Sequence, residues 1–170
     1  SLSLEGKVAV VTGSTQGLGE AISHLFADRG IAGLVVTGRN KERGEKVTAA
    51  LEKKDVKAIF VQAELDDVAS AATIVGAADK AFGRVDVLVN AAAITDRGTI
   101  WDTPPALFDQ MFAVNVRAPF FLMQEALKVM KREKIKGSII NIISMSGHGG
   151  QSFITAYCAS KGALITLTKN

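Results

Sequence analysis

The sequence has one cysteine, Cys158, so no disulfide can form within the chain. It has no run of about 18 apolar residues, the length that a helix needs to cross a membrane. Residues 1–7 lack the basic-then-apolar order of a secretory signal peptide. These absences predict a protein of the reducing cytoplasm that has no membrane span.

The chain also lacks a large excess of charge of one sign, because it has 20 Lys and Arg and 17 Asp and Glu. The densest basic run, residues 128–136, is interrupted by Glu133 and by apolar residues, which is typical of a solvated helix end. No His, Cys and carboxylate residues have the spacing of metal ligands. We therefore expect no nucleic-acid partner and no bound metal. We expect Trp101 and Met111 to pack a helix.

Five short apolar runs, rich in β-branched residues, alternate with segments in which apolar residues recur every three or four positions. The runs lie at residues 8–11, 34–37, 58–61, 87–89 and 138–143. Gly30 and Gly83 are expected to end the helices that follow the first run and precede the fourth. Such alternation predicts a single domain over residues 1–170, with an α/β fold and a doubly wound parallel sheet.

The first apolar run leads into a glycine-rich turn, Thr-Gly-Ser-Thr-Gln-Gly-Leu-Gly, at residues 12–19. Glycines let the backbone approach a phosphate closely, and the following helix offers its positive N-terminal end. Ligands of doubly wound sheets bind beyond the carboxyl ends of the strands, where this turn lies. A merely flexible turn is the alternative. We expect cofactor contacts from Gly13, Thr15, Gln16, Gly17, Leu18 and Gly19.

The second predicted strand ends in Val-Thr-Gly-Arg, so Arg39 comes two residues after the second apolar run. Sites selective for NAD usually place an Asp or Glu here to accept from the ribose 2′-hydroxyl, and no carboxylate appears before Glu42. A guanidinium suits a 2′-phosphate instead. We therefore expect Arg39 to favour NADP, with NAD possible as cofactor. The alternative is an ordinary exposed arginine.

A set of polar residues follows in a fixed order towards the end of the chain. Tyr157, the only tyrosine, lies four residues before Lys161, so the two would share a helix face. Ser144 closes the fifth apolar run, and Asn115 comes just before a helical segment. Together with the Thr-Gly-x-x-x-Gly-x-Gly turn, this set resembles the short-chain dehydrogenase/reductase family, in its single-domain branch. The likeness is to the N-terminal two-thirds of the family's chain.

The resemblance implies a Rossmann-like enzyme that moves a hydride between a nicotinamide cofactor and a small substrate of the sugar, polyol or 3-oxoacyl type. Tyr157 would exchange a proton with the substrate oxygen, which Ser144 would orient. Lys161 would favour the phenolate and contact the nicotinamide ribose, and Asn115 would hold a water in a proton relay. Tyr157 and Lys161 are thus expected cofactor contacts as well. The alternative is a nucleotide-binding module without turnover.

The resemblance adds four expected cofactor contacts, which are Glu64, Leu65, Asn90 and Ala91. Two positions depart from the family's pattern. Ala93 stands in place of a glycine and adds a methyl group where the backbone passes close to the cofactor. Glu64 stands where an Asp commonly meets the adenine amino group, and its longer carboxylate can still accept that bond.

In the family, two helices commonly pair between subunits: the helix that follows Asn115 and the helix that carries Lys161. In this sequence both segments are densely apolar. Their apolar residues are Phe120, Phe121, Met123, Leu127, Leu164, Ile165 and Leu167. This implies a homo-oligomer, a dimer or a tetramer. The family's chain also continues with two further strands. We therefore expect a C-terminally incomplete domain with an open edge on the fifth strand, and poor stability and no activity for residues 1–170 alone.

Overall fold

In the computed structural model, which describes residues 2–170, the chain forms one sheet of five parallel strands in the order β3-β2-β1-β4-β5. The strands are β1 (Val8–Val11), β2 (Gly33–Gly38), β3 (Lys57–Gln62), β4 (Val87–Asn90) and β5 (Ser138–Asn141). Successive strands are added on one side of β1 up to β3, and β4 and β5 are then added on its other side. The crevice between β1 and β4 is the switch point at which ligands of such sheets bind. The doubly wound α/β fold is confirmed.

The helices of these residues are α1 (Gly17–Asp28), α2 (Lys41–Glu52), α3 (Ser70–Phe82), α4 (Pro105–Phe112), α5 (Ala118–Arg132), α6 (Ser146–Gly149) and α7 (Thr155–Thr168). A π-helical turn, Ala113–Arg117, joins α4 to α5. Gly30 and Gly83 follow α1 and α3 with left-handed φ angles of 74° and 69°, as expected of helix-ending glycines. Within the described part of the chain, no helix is both long and apolar enough to span a membrane.

The core consists of two layers, one on each face of the sheet. Buried side chains of α1 and α2 cover one face, and those of α3 and α5 cover the other. Leu51 and Ile74 are fully buried on opposite faces, and each contributes roughly 1.5–3 kcal/mol through burial. A Cβ at Gly44 would lie 2.1 Å from the Phe60 ring, so glycine lets α2 lie directly on β3.

The strand β5 is shorter than the apolar run that predicted it. Its pairing with β4 ends at Asn90 opposite Asn141, because β4 itself ends there, so Ile142 and Ile143 lie outside the strand. In residues 2–170, β5 pairs on one side only, and Ile140 is 43% exposed. The expected open edge of the fifth strand is therefore present.

The N-terminal ends of β1 and β4 are joined by Asp86, whose side chain is 3% exposed. Its carboxylate accepts the Val8 N–H at 2.9 Å and two Arg84 N–H groups at 2.7 and 2.8 Å. Burial by itself raises the pKa of Asp86, but the hydrogen bonds from Arg84 and Val8 and the nearby positive charges hold it below its ordinary value. The charged form of Asp86 therefore stabilises this end of the sheet.

Two expectations about apolar side chains are partly wrong. Met111 is buried at 1% exposure, but Trp101 is 93% exposed, in the loop before α4. Leu164, expected on a pairing face, is 1% exposed and packs inside the chain, whereas Phe120 and Leu127 on α5 are 44% and 53% exposed.

Candidate active site

A cleft of about 290 Å³ lies beyond the carboxyl ends of the first four strands. Many of the predicted cofactor contacts line it, namely Gly13, Thr15, Gln16, Gly17, Leu18, Gly19, Arg39, Glu64, Leu65 and Ala91. Asn90, Tyr157 and Lys161 are not among its lining residues. The sequence therefore located the part of the cleft formed by the glycine turn and the ends of β2 and β3.

The glycines of the turn fit a cofactor site for reasons of space. A Cβ at Gly13, where φ is 60°, would lie 2.8 Å from the Ala92 Cα, and one at Gly19 would lie 2.3 Å from the Gly13 carbonyl oxygen. These two glycines let β1, α1 and the chain after β4 pack closely. Gly17, with φ of 56°, differs, because a Cβ there would meet no protein atom within 4 Å. Its bare backbone leaves the cleft open at the start of α1.

The N-terminus of α1 has no side-chain cap. Gln16 occupies the N-cap position in an extended conformation but makes no capping hydrogen bond. The first N–H groups of a helix lack intrahelical acceptors, and the helix dipole favours an anion there. This end of α1 can therefore hold a phosphate group in the cleft.

Thr12 holds the chain after β4 in place, a role that the sequence reasoning missed. Its hydroxyl oxygen accepts the N–H groups of Ala91 and Ala92, both at 3.1 Å, and Thr12 is 1% exposed. Because these bonds join residues far apart in sequence, only the threonine's place at the end of β1 could have suggested them. Thr12 thus fixes the Ala91–Ala92 wall of the cleft beside the glycine turn.

The far rim of the cleft contains two arginines. Arg39 is exposed, and the Gln62 side chain donates to its carbonyl oxygen at 3.0 Å. Arg43, which the sequence reasoning missed, also lines the cleft and donates through Nη1 to Oε1 of Gln16. Glu64 is exposed in the same cleft.

Ala93 also lines the cleft and is exposed. The non-glycine residues with a left-handed φ angle among those described are Asp55, Lys134 and Phe153. The backbone at Ala93 is therefore not one that requires glycine, and the departure from the family's pattern does not strain it.

Asn90 does not line the cleft, and its expected contact with the cofactor stays a prediction. It is 2% exposed at the end of β4, and its Nδ2 donates to Oδ1 of Asn141 on β5 at 2.8 Å. Its Oδ1 has no hydrogen-bond partner among the described residues. The side chain of Asn90 thus ties β4 to β5.

Tyr157 and Lys161 share a face of α7, as their spacing predicted. The Lys161 Nζ lies 5.8 Å from the centre of the Tyr157 ring and donates to the Ile142 carbonyl oxygen at 2.7 Å. Lys161 is 3% exposed, and this burial lowers the pKa of its ammonium group. The bond to Ile142 connects α7 to the segment after β5.

That same segment carries Ser144, whose Oγ lies 2.8 Å from Oγ of Ser146. The Ser146 N–H also donates to the Ser144 Oγ at 3.3 Å. A Cβ at Gly147 would lie 2.8 Å from the carbonyl carbon of Lys161, so glycine lets the Ser144 segment pack against α7. The fold therefore brings Ser144, Lys161 and Tyr157 into one region, and Ser146 is an additional residue of that region that the sequence reasoning missed.

Asn115 is buried at 1% exposure and lies in the π-helical turn between α4 and α5. Its Oδ1 accepts the Ile94 N–H at 2.9 Å, and its Nδ2 donates to the Ile94 carbonyl at 2.8 Å and to Ser160 Oγ at 3.1 Å. The side chain thus joins the chain after β4 to α7. Both amide hydrogens are used, and Oδ1 retains one lone pair.

No three His, Cys, Asp or Glu side chains come together as possible metal ligands in residues 2–170. The candidate site has two parts: the cleft, which the glycine turn and the rim arginines line, and the region after β5 and in the first half of α7, where Ser144, Tyr157 and Lys161 lie.

Known proteins are similar to this chain in sequence and in fold. The sequence pattern of the short chain dehydrogenase family matches residues 7–170. The chain is 34% identical to galactitol 2-dehydrogenase of Agrobacterium fabrum and 36% identical to the NADP-dependent (R)-specific alcohol dehydrogenase of Lentilactobacillus kefiri. Each match covers 98% of this chain, which spans 64% and 66% of the two relatives.

A solved structure agrees with the fold. The crystal structure of a metagenomic short-chain oxidoreductase in complex with NADP superposes with a TM-score of 0.92 at 34% identity, covering 99% of this chain and 76% of that one. Fold and cleft together define a Rossmann-like α/β protein whose cleft lies at the carboxyl ends of its parallel strands. The chain belongs to the short chain dehydrogenase family.

Proposed function

We propose that this chain carries the cofactor-binding and catalytic part of an oxidoreductase that transfers a hydride between NADP(H) and the carbonyl or hydroxyl carbon of a small substrate. The observation that carries the proposal is that the buried Lys161, whose Nζ lies 5.8 Å from the centre of the Tyr157 ring, donates at 2.7 Å to the Ile142 carbonyl oxygen, two residues before Ser144. A phenol, a hydroxyl and an ammonium are the groups that a proton transfer to a carbonyl oxygen requires.

The residues of the cleft fit a dinucleotide. The glycine turn and the N-terminus of α1 would hold the pyrophosphate, with Glu64 and Leu65 beside the adenine. Arg39 would pair with a 2′-phosphate, and the NADP named for one relative and for one solved structure supports this preference. NAD remains a possible cofactor. When bound, the cofactor supplies or accepts the hydride.

The proton is handled by the side chains of the chain itself. The Tyr157 phenol donates a proton to the substrate oxygen in reduction and accepts it back in oxidation. Lys161, held by the Ile142 carbonyl with its Nζ 5.8 Å from the centre of the Tyr157 ring, contacts the nicotinamide ribose. Ser144 donates a hydrogen bond to the substrate oxygen. The remaining lone pair of Asn115 Oδ1 can accept from a water of the proton relay.

The substrate is proposed only as a class: a sugar, a polyol or a 3-oxoacyl compound. The galactitol dehydrogenase among the relatives supports the polyol type. We further propose a homo-oligomer, because Phe120 and Leu127 leave α5 with an exposed apolar face. The single cysteine supports a reducing compartment such as the cytoplasm.

The test uses the purified gene product that carries this chain, mixed with NADPH and a panel of ketones, ketoses and 3-oxoacyl thioesters. We expect substrate-dependent loss of NADPH absorbance with at least one class. Tight NADPH binding without any turnover in either direction would instead favour a nucleotide-binding module.

A further inference from the structure

Arg39 and Arg43 line the same cleft, and neither has a carboxylate partner among the ion pairs of residues 2–170. Arg39 directly follows β2, and Arg43 lies in the first turn of α2. Both side chains are exposed. A guanidinium group that no carboxylate neutralises keeps its charge and most of its five donors for an anionic ligand.

The position of Arg43 does not favour the helix that carries it. The N-terminal end of a helix has a positive partial charge and is stabilised by acidic side chains. This end of α2 is already capped, because Asn40 Oδ1 accepts the Arg43 N–H at 2.8 Å. Glu42 is the acidic residue of this turn, and a bound anion would offset the unfavourable position of Arg43 as well.

Gln16 orients the Arg43 side chain across the cleft. Its Oε1 accepts from Arg43 Nη1, which links the glycine turn to α2. The amide of Gln16 makes no capping hydrogen bond to its own helix, so it is available for this contact. A neutral acceptor holds a guanidinium in place without cancelling its charge, as a carboxylate would.

We infer that Arg43, oriented by Gln16, acts with Arg39 as a second specificity-determining residue for a phosphomonoester on the adenosine ribose of the cofactor. Such a group carries nearly two negative charges and three acceptor oxygens, which match two guanidinium forks. The inference rests on the proposed function and traces its NADP(H) preference to a pair of arginines.

The experiment measures dissociation constants of NADPH, NADH, 2′-AMP and 5′-AMP for the gene product that carries this chain, by isothermal titration calorimetry. Arg43→Ala is expected to weaken NADPH and 2′-AMP about tenfold or more, as the loss of a charged hydrogen bond predicts. NADH and 5′-AMP should weaken by less than about threefold. Arg43→Lys keeps the charge but loses the fork, so its effect should be intermediate.

Arg29→Ala is the matched control. Arg29 is likewise exposed and without an ion pair among the described residues, but it lies at the opposite end of α1 from the cleft. Its removal should leave all four dissociation constants unchanged. Thermal melting of each variant verifies folding.

The role of Gln16 is tested by a double-mutant cycle. Gln16→Ala should weaken NADPH more than NADH, by a smaller factor than Arg43→Ala, and should have little further effect when Arg43 is already alanine. Additive losses would overturn the positioning role of Gln16. Equal losses for NADPH and NADH in Arg43→Ala, or no loss at all, would overturn the role of Arg43.

The outcomes separate this inference from the proposed function. Selective NADPH and 2′-AMP binding that depends on Arg43, without turnover, would leave the inference standing and the proposed function refuted. Turnover by a protein that binds NADH as tightly as NADPH would support the proposed hydride transfer and refute the inference about Arg43. A protein that binds none of the four ligands would contradict both.

Discussion

The hydroxyl oxygens of Ser144 and Ser146 lie 2.8 Å apart, and the Ser146 N–H points at the same Ser144 oxygen from 3.3 Å. When the Ser146 hydroxyl donates, the Ser144 proton is free to bind the substrate oxygen. Ser146→Ala should therefore lower kcat roughly 2–10-fold, which corresponds to one neutral hydrogen bond. Ser146→Thr keeps the hydroxyl and should retain more activity. Unchanged kcat in Ser146→Ala would contradict this role.

The two hydrogen bonds that Thr12 accepts from Ala91 and Ala92 should be measurable in stability. Thr12→Val preserves the shape but leaves two N–H groups without their acceptor, so the free energy of unfolding should fall by roughly 1–3 kcal/mol. Thr12→Ser keeps the acceptor and serves as the control. Urea denaturation of the three proteins measures the difference, and equal stability of the valine and serine variants would count against the assigned bonds.

How far the sequence predicts this site depends on the range of the interactions. The strands and the glycine turn follow from local apolar runs and from backbone space; Gly13, Gly17 and Gly19, predicted as cofactor contacts, line the cleft. The bond between Gln16 and Arg43 was not predicted, because it joins segments 27 residues apart whose spacing carries no signal.

The errors have similar physical causes. The apolar run of residues 138–143 could not reveal where β5 ends, since the length of β4 decides it at Asn90. Asn115 was expected just before a helix, and it does precede α5; the apolar periodicity did not indicate the π-helical turn that holds Asn115 and joins α4 to α5. Trp101 is exposed because burial depends on tertiary neighbours rather than on the hydrophobicity of the side chain.

Asp86 should make the stability of the fold dependent on acidic pH. Its pKa in the folded protein lies below the ordinary value, so its contribution is fully present above about pH 4 and is lost as pH falls towards the lower folded value. Asp86→Asn should lower the free energy of unfolding by roughly 1.5–3 kcal/mol at pH 7, with the difference from wild type shrinking below about pH 4.

Denaturation curves at pH 7 and pH 3 measure this effect. Asp109→Asn is the control, because Asp109 is exposed on α4 and has no ion pair among the described residues. A pH-independent difference between wild type and Asp86→Asn would show that the charge of Asp86 is not what stabilises the ends of β1 and β4.

The proposed oligomer predicts a dimeric or tetrameric mass by light scattering for the gene product that carries this chain. Phe120 and Phe121 are 44% and 39% exposed on α5, so replacing both by serine should shift the mass towards the monomer. Leu25→Ser, on α1 and 51% exposed, should leave the mass unchanged. A monomeric wild type, or a double variant that assembles normally, would refute the pairing through α5.

The most direct measurement of the central claim compares wild type with Tyr157→Phe, in NADPH-dependent carbonyl reduction and in NADPH binding. The substitution keeps the ring beside Lys161 and removes only the hydroxyl that transfers the proton. We predict that kcat falls by about 10²–10⁴-fold, the usual contribution of a general acid–base group. The dissociation constant of NADPH should change by less than about threefold. Retention of more than about a tenth of the wild-type activity would contradict the assignment of Tyr157 as the proton carrier.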